Sequence, residues 1–149
     1  MNIYELQTRT PEQLAPLVEV WERSVRATHH FLSESEIQRI KAYVPQALAG
    51  VAHLVAAEEV PGTPIGFLGV DGERLEMLFL DPTARGKGLG RQLLQYGMDA
   101  FGIQEVTVNE QNPQAVGFYQ HLGFATYRRT DRDEEGGPYP LLYMQRKNH

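Results

Sequence analysis

The sequence contains no cysteine among its 149 residues. This absence excludes disulfide bonds and thiolate-ligated metal sites, and nothing in the composition favours an oxidising compartment. The sequence also lacks an apolar run that approaches the roughly 20 residues of a membrane-spanning helix. Its first residues, Met1-Asn2-Ile3-Tyr4-Glu5, have neither the basic segment nor the apolar run of a signal peptide. We therefore expect a cytoplasmic protein that does not associate with membranes.

The chain also has no excess of positively charged residues. The chain has 14 Lys and Arg residues against 19 Asp and Glu residues, which gives a net charge of −5. Such a charge disfavours non-specific binding to nucleic acid. What is present is a hydrophobic content of 42% and a length near the modal size of one domain, enough to bury a substantial core. With no internal repeat or low-complexity linker, residues 1–149 are expected to form a single domain.

The most informative segment is rich in glycine and reads Arg85-Gly86-Lys87-Gly88-Leu89-Gly90. It follows an apolar strand predicted at residues 75–80 and opens an amphipathic helix. Glycine allows positive φ and a close backbone approach, and a helix N-terminus offers unpaired N–H groups with partial positive charge. With Arg85, Lys87 and Arg91 nearby, these features predict a phosphate-binding cradle. The alternative is a glycine-rich turn whose basic residues are only solvated.

The spacing of these glycines does not fit two common phosphate-binding motifs. A dinucleotide fingerprint requires G-x-G-x-x-G, but Arg91 stands where the third glycine would have to be. A P-loop requires G-x-x-x-x-G-K-S/T, which occurs nowhere in the chain. What remains is R-x-x-G-x-G at a junction between a strand and a helix.

Periodicity and end signals predict the element order β-α-α-β-β-β-α-β-α-β-β. Thr10 and Ser33 begin capping boxes for the first two helices, and Pro45 is expected to end the second. Asp71-Gly72 predicts a tight hairpin, and Gly123 predicts the C-terminus of the last helix. The strands are expected at residues 3–8, 51–57, 65–70, 75–80, 105–108, 124–129 and 141–146.

The R-x-x-G-x-G motif, in this order of elements, resembles the acetyl-CoA signature of the GCN5-related N-acetyltransferases, the GNAT superfamily. The second half of the chain resembles the same superfamily through Val108-Asn109-Glu110-Gln111-Asn112, Gln114-Ala115-Val116-Gly117-Phe118-Tyr119 and Gly123-Phe124. Within the superfamily the chain is most similar to YjaB-type bacterial acetyltransferases, through Ser24-Val25, Ala27-Thr28-His29, Phe31-Leu32-Ser33 and Pro138-Tyr139-Pro140-Leu141-Leu142. The resemblance covers essentially the whole chain.

The resemblance implies an α/β (α+β) GNAT fold, with a mixed, mostly antiparallel central sheet of about seven strands and four flanking helices. The crossover from the strand at 75–80 through the intervening helix to the strand at 105–108 is expected to be right-handed and to place these strands parallel. In this superfamily these two strands splay apart, and the pantetheine arm enters between them and bonds to the main chain of the first. By position, the main chain of Leu78, Phe79 and Leu80 has that role, and the glycine-rich segment holds the pyrophosphate.

Two residues around the last helix have expected roles from the resemblance. Asn112 is expected to contact the pantetheine arm, and its alternative role is the N-cap of the helix that follows. Tyr119 corresponds to a tyrosine near the CoA sulfur, and its ordinary pKa of about 10 suits donation of a proton to a thiolate. The alternative for Tyr119 is that its ring only packs within an apolar helical stripe.

The implied activity is direct transfer of an acetyl group from acetyl-CoA to a primary amine, on a protein lysine or a small molecule, without a metal or a protein nucleophile. A lysine-like amine has a pKa of about 10.4, so roughly one molecule in two to three thousand is neutral at pH 7. A base is therefore required, and Glu76, His29 and a water chain all remain open. Thr107 occupies the position at which some members carry a glutamate base, so that solution is not available here.

The acceptor pocket is expected to be shaped by His29, Phe31 and Tyr139, with ordinary packing as the alternative. A second function hypothesis is a catalytically silent CoA-binding or acyl-CoA-binding regulatory module, which would keep the cradle without transfer. The retention of Tyr119 beside an intact cradle favours the enzyme. The sequence leaves open whether the protein is a monomer or a homodimer.

Overall fold

One seven-stranded sheet organises the chain in the computed structural model, which describes residues 1–147. Its spatial order is β1-β2-β3-β4-β5-β7-β6, and every neighbouring pair is antiparallel except β4 and β5. The expected mixed, mostly antiparallel sheet is therefore confirmed. The strands are β1 Asn2–Glu5, β2 His53–Val60, β3 Thr63–Asp71, β4 Arg74–Leu80, β5 Glu105–Asn109, β6 Phe124–Thr130 and β7 Leu141–Arg146.

The four expected helices are present, together with one that was not predicted. Both predicted capping boxes form, at Thr10 and Ser33. The prediction that Pro45 ends the second helix is wrong, because that helix already ends at Lys41 and Pro45 lies in the first turn of a further helix. Proline is tolerated there since first-turn N–H groups have no intrahelical acceptor. The helices are α1 Pro11–Thr28, α2 Glu34–Lys41, α3 Val44–Gly50, α4 Leu89–Phe101 and α5 Pro113–His121.

The helices cover the two faces of the sheet and bury a hydrophobic cluster on each. On one face α1, α2 and α3 enclose side chains such as Leu17 and Phe67, both almost fully buried. On the other face α4 and α5 enclose a second cluster that includes Leu68 and Leu93. No helix within residues 1–147 is long and apolar enough to cross a membrane.

Two strand ends and one turn lie at other positions than expected. The first strand ends at Glu5 rather than at residue 8, and β2 begins at His53. The hairpin loop between β3 and β4 is Gly72-Glu73, because Asp71 itself pairs with Arg74. These shifts of a few residues arise because cross-strand pairing, which is not local in sequence, decides where a ladder stops.

A β-bulge interrupts β4 at Glu76. Val70 of β3 pairs with Leu75, whereas Gly69 pairs with Met77, so Glu76 is the extra residue. Beyond it the alternation of side chains is shifted: Leu75 and Leu78 belong to the cluster beneath α4 and α5, and Met77 belongs to the other cluster. The bulge thus re-aims the second half of β4, as bulges commonly do beside functional sites.

The parallel strands β4 and β5 separate soon after they meet. Their ladder holds only two pairs, Arg74 with Glu105 and Leu75 with Val106, although β4 continues to Leu80. The expected splay is therefore confirmed. From the bulge onward, the edge of β4 that faces β5 has no strand paired to it within residues 1–147.

Candidate active site

A cavity of about 770 Å³ opens where β4 and β5 separate. We call it the main cavity; a smaller one of about 120 Å³, the side cavity, continues between the two strands. Six residues line both cavities and mark the junction between them: His29, Leu78, Phe79, Asn112, Ala115 and Tyr119. The main cavity is also lined by Ser24, Thr28, Leu80, Arg85, Gly86, Gly88, Leu89, Gly90, Arg91, Gln114, Phe118 and His121.

The glycine-rich segment forms a loop and then the first turn of α4. Gly86 and Gly88 have φ of +76° and +81°, a conformation that other residues rarely adopt, and space is open around both. Gly88 caps α4 without a side-chain hydrogen bond, so the first N–H groups of the helix remain available toward the cavity wall. Arg85 and Arg91 add two cations to that wall. Lys87 is exposed on the loop outside the wall, and its expected role stays a prediction.

Gly90 lies where the start of α4 meets β4 and α5. A Cβ atom there would lie 3.4 Å from both Leu80 Cδ1 and Phe118 Cζ. These are ordinary van der Waals distances, so packing alone does not require glycine at this position. The cradle residues fit a bound pyrophosphate because open N–H groups, two arginines and backbone without Cβ atoms meet at one place.

The loop before the cradle is fastened to α1 by a buried carboxylate that the sequence reasoning missed. Asp81 accepts hydrogen bonds from Thr83 N at 3.1 Å, Thr83 Oγ1 at 2.8 Å and Arg23 Nε at 2.6 Å. Burial acts to raise the pKa of Asp81, but these hydrogen bonds and the Arg23 charge outweigh it and lower the pKa. The pattern Asp-Pro-Thr after an apolar strand is a helix N-cap signal from which this residue could have been identified in the sequence.

Tyr119 lies on α5 with its ring buried between Phe118 and Phe124, at centroid distances of 5.2 and 5.9 Å. Its hydroxyl makes no hydrogen bond within residues 1–147. Every fully buried side-chain polar atom in that part of the chain has a hydrogen-bond partner, so the Tyr119 hydroxyl oxygen is not fully buried. The hydroxyl is therefore open to the cavities that the residue lines. Burial raises the pKa of Tyr119, so the phenol stays protonated at neutral pH.

His29 lies directly after α1 and reaches the same junction. Its Nδ1 is 2.8 Å from Thr28 Oγ1, and that hydroxyl in turn donates to the Ser24 carbonyl at 2.9 Å. Burial, the Arg85 charge and His30 lower the pKa of His29 to about 4. The ring is therefore neutral at pH 7 and keeps one nitrogen lone pair.

The expected acceptor wall forms a chain of aromatic rings. His29 and Phe31 lie 5.3 Å apart between centroids, and Phe31 and Tyr139 lie 5.8 Å apart. The structure thus brings Tyr139, more than 100 positions further along the chain, against Phe31 and so next to the pair formed by His29 and Phe31. Phe31 and Tyr139 are not among the residues that line the two cavities, and their role in an acceptor pocket stays a prediction.

Glu76 lines the far part of the side cavity, and its side chain is 35% exposed. Burial raises the pKa of Glu76, Asp71 and Glu134 reinforce this rise, and Arg74 opposes it. Thr107 faces the same cavity, and its hydroxyl accepts a hydrogen bond from Arg74. Glu76 and His29 therefore lie at different places along the cavity wall.

Asn112 caps α5, since its Oδ1 accepts from Ala115 N at 3.3 Å. Its expected structural role is confirmed, and because it also lines both cavities, contact with a ligand stays compatible with it. Residues 1–147 contain no group of three or more His, Asp or Glu side chains placed to hold a metal ion.

Comparison with known proteins places the chain in a family. The family model for the acetyltransferase (GNAT) domain matches residues 6–140. The chain is 40% identical over 133 residues to the peptidyl-lysine N-acetyltransferase YjaB of Escherichia coli (strain K12), covering 89% of this chain and 90% of that one.

Two solved structures have the same fold as this chain. The solution structure of apo-form YjaB from Escherichia coli superposes with a TM-score of 0.85 at 35% identity, covering all of both chains. The crystal structure of the PaiA N-acetyltransferase of Thermoplasma acidophilum, in complex with coenzyme A, shares the fold with a TM-score of 0.71 at 24% identity, covering 97% of this chain and 99% of that one.

These matches confirm the resemblance, the fold class, the class of enzyme and the acetyl-CoA co-substrate expected from the sequence. The chain belongs to the acetyltransferase (GNAT) domain family, and it is an acetyltransferase.

Proposed function

We propose that this acetyltransferase moves the acetyl group of acetyl-CoA to the side-chain amine of a protein lysine. The observation that carries the proposal is the junction of the two cavities, where the open hydroxyl of Tyr119 and the neutral ring of His29 line the same space. The choice of lysine is supported by the relatives, which are named peptidyl-lysine N-acetyltransferases. A small-molecule amine is the other acceptor class. The cytoplasmic location expected from the sequence stays a prediction.

Three parts of the main cavity hold acetyl-CoA in this proposal. The N–H groups at the start of α4, with Arg85 and Arg91, bind the pyrophosphate. The open edge of Leu78 to Leu80 bonds the pantetheine arm as an added strand would. Asn112 contacts the arm from the opposite side of the junction.

His29 is the proposed proton acceptor. A lysine amine with a pKa of about 10.4 must lose a proton before it attacks, which adds about 4–5 kcal/mol to the barrier at pH 7. The neutral imidazole has a lone pair to accept that proton, and it releases the proton to solvent afterwards. Because the pKa of His29 is only about 4, the transfer is uphill in the free protein, and the proposal requires that the phosphates of bound acetyl-CoA offset the Arg85 charge and raise this pKa. Glu76 is the alternative base, from the far part of the side cavity, and a water chain is the third.

Tyr119 is the proposed donor to the leaving sulfur. As the thioester carbon–sulfur bond breaks, the phenol donates its hydrogen bond to the departing thiolate. A thiol has a pKa near 8.5, below that of a phenol, so complete proton transfer from Tyr119 is uphill. Burial raises the pKa of Tyr119 further, and this favours charge-assisted hydrogen bonding over full transfer.

The proposal is tested with two peptides that differ only by lysine or arginine at one position, both acetylated at the amino terminus. Incubation with acetyl-CoA is expected to add one acetyl group to the lysine peptide alone, detected by mass spectrometry. Acetylation of free small amines with no transfer to peptide or protein lysines would move the acceptor to the small-molecule class. Binding of acetyl-CoA with no transfer to any amine would support the silent module instead.

A further inference from the structure

Thr28 interacts with His29 in a way that fixes which ring nitrogen carries the hydrogen. The Thr28 hydroxyl has one hydrogen, and it donates this hydrogen to the Ser24 carbonyl at 2.9 Å, because a carbonyl oxygen can only accept. The same hydroxyl oxygen lies 2.8 Å from His29 Nδ1. With its hydrogen already used, the oxygen can only accept there, so Nδ1 carries the ring hydrogen and donates it.

The other ring nitrogen is therefore unprotonated in the neutral side chain. A neutral imidazole has one N–H and one lone pair, so assignment of the hydrogen to Nδ1 leaves the lone pair on Nε2. His29 lines both cavities, and within residues 1–147 no hydrogen bond occupies Nε2. The nitrogen that is free to accept a proton is thus fixed by the residue preceding the histidine.

The chain of three groups is anchored on a rigid element. Ser24 is buried within α1, and Thr28 is the last residue of that helix, one turn further on. A hydroxyl that bonds the carbonyl four residues earlier is a common helical arrangement, so the direction of the Thr28 hydrogen follows from the backbone. Ring contact with Phe31 restricts the plane of the imidazole as well.

We infer that Thr28 is a positioning residue for the transfer reaction: it holds His29 as the Nδ1–H tautomer and thereby presents Nε2 to the acceptor amine. Orientation of a catalytic histidine through a hydrogen bond to its other nitrogen is a general device for selecting the useful tautomer. The inference rests on the proposed role of His29 as the proton acceptor. Thr28 itself does not touch the reacting atoms.

The test compares wild type with Thr28→Val, which keeps the shape but removes the hydroxyl, and Thr28→Ser, which restores it. Nitrogen-15 NMR of the imidazole at pH 7 reports the tautomer without any need for activity. Wild type and Thr28→Ser are expected to show unprotonated Nε2, and Thr28→Val is expected to lose this preference. Turnover of Thr28→Val is expected to fall about fivefold with unchanged acetyl-CoA affinity, the size expected for one lost hydrogen bond, and Thr28→Ser is expected to recover it.

The results that would overturn the inference distinguish a failure of the role of Thr28 from a failure of the proposed role of His29. An Nε2–H tautomer in wild type, or an unchanged tautomer in Thr28→Val, would show that Thr28 does not orient the ring, whatever the activity. A changed tautomer with unchanged turnover would show that His29 is oriented but is not the base, which refutes its proposed role. Thermal melting of both variants checks that the change of side chain leaves the fold intact.

Discussion

Replacement of Tyr119 by phenylalanine removes one oxygen atom from the junction of the two cavities and leaves the buried ring in place. The hydroxyl makes no hydrogen bond within residues 1–147, so its loss breaks none in that part of the protein. We therefore expect the free energy of unfolding to change by no more than about 0.5 kcal/mol. The ring contacts with Phe118 and Phe124 stay available to phenylalanine.

The effect on turnover of Tyr119→Phe is expected to be much larger. A hydrogen bond to a charged group is worth roughly 1.5–3 kcal/mol, and here the charge develops on the leaving sulfur only in the transition state. Its loss corresponds to a decrease in kcat of roughly 10- to 150-fold, with acetyl-CoA affinity nearly unchanged. The combination of a stable fold, normal binding and slow transfer is the expected signature.

The assay measures release of free CoA with a thiol reagent, and the chain contributes no background because it has no cysteine. Tyr96→Phe is the matched control, since this tyrosine lies on α4 against Phe101 and outside both cavities. Its turnover is expected to equal that of wild type. An unchanged kcat in Tyr119→Phe, with urea unfolding also unchanged, would remove Tyr119 from the mechanism.

Three other predictions concern the cradle, the Asp81 carboxylate before it and His29. Gly88→Asp is expected to abolish acetyl-CoA binding in calorimetry, because it forces a side chain onto φ +81° and places a carboxylate beside the pyrophosphate, whereas Gly62→Asp, at φ +84° in a remote hairpin, is expected to bind normally. Asp81→Asn is expected to cost roughly 1–2 kcal/mol of stability at pH 7. Because the pKa of Asp81 is lowered in the folded protein, its contribution is complete above the usual pKa near 3.8 and is fully lost only when the pH has fallen through the lower, folded pKa. Urea unfolding below that lower pKa is therefore expected to show no difference between the variant and wild type, and an equal deficit at both pH values would contradict this. Binding of CoA is expected to raise the pKa of His29 from about 4, because the pyrophosphate offsets the Arg85 charge; NMR titration that shows no rise would refute this coupling.

Features that rest on local signals were predictable from the sequence. The capping boxes at Thr10 and Ser33 form as expected, since each depends on residues only three positions apart. Gly123 adopts φ +97° after α5, as its C-terminal position predicts. The separation of β4 from β5 was available through the family resemblance and is confirmed by their two-pair ladder.

Features that rest on distant contacts were not predictable. The bulge at Glu76 follows from the register between β3 and β4, which no local pattern in the strand announces. The ion pair between Arg23 and Asp81 joins residues 58 positions apart, and nothing in the sequence near either residue indicates its partner. The prediction that Pro45 ends a helix is wrong because a proline that follows one helix and a proline in the first turn of the next cannot be distinguished in the sequence.

The candidate site lies between these two cases. The cradle could be predicted because three glycines and a helix N-terminus are contiguous. The junction of His29 with Tyr119 could be expected only through the resemblance, because folding brings together residues 90 positions apart along the chain. The tautomer of His29 could not be predicted from the sequence, because it depends on the position of the Thr28 hydroxyl in the folded protein.

The most direct test of the central claim is an NMR titration of the isotope-labelled protein with acetyl-CoA, followed through the backbone amides. The account predicts that the largest shifts fall on the open edge of β4, Leu78 to Leu80, and on the cradle from Arg85 to Gly90, with His29 and Tyr119 also affected. Saturable binding that leaves both the β4 edge and the cradle unperturbed would contradict the account, because acetyl-CoA would then occupy a different surface.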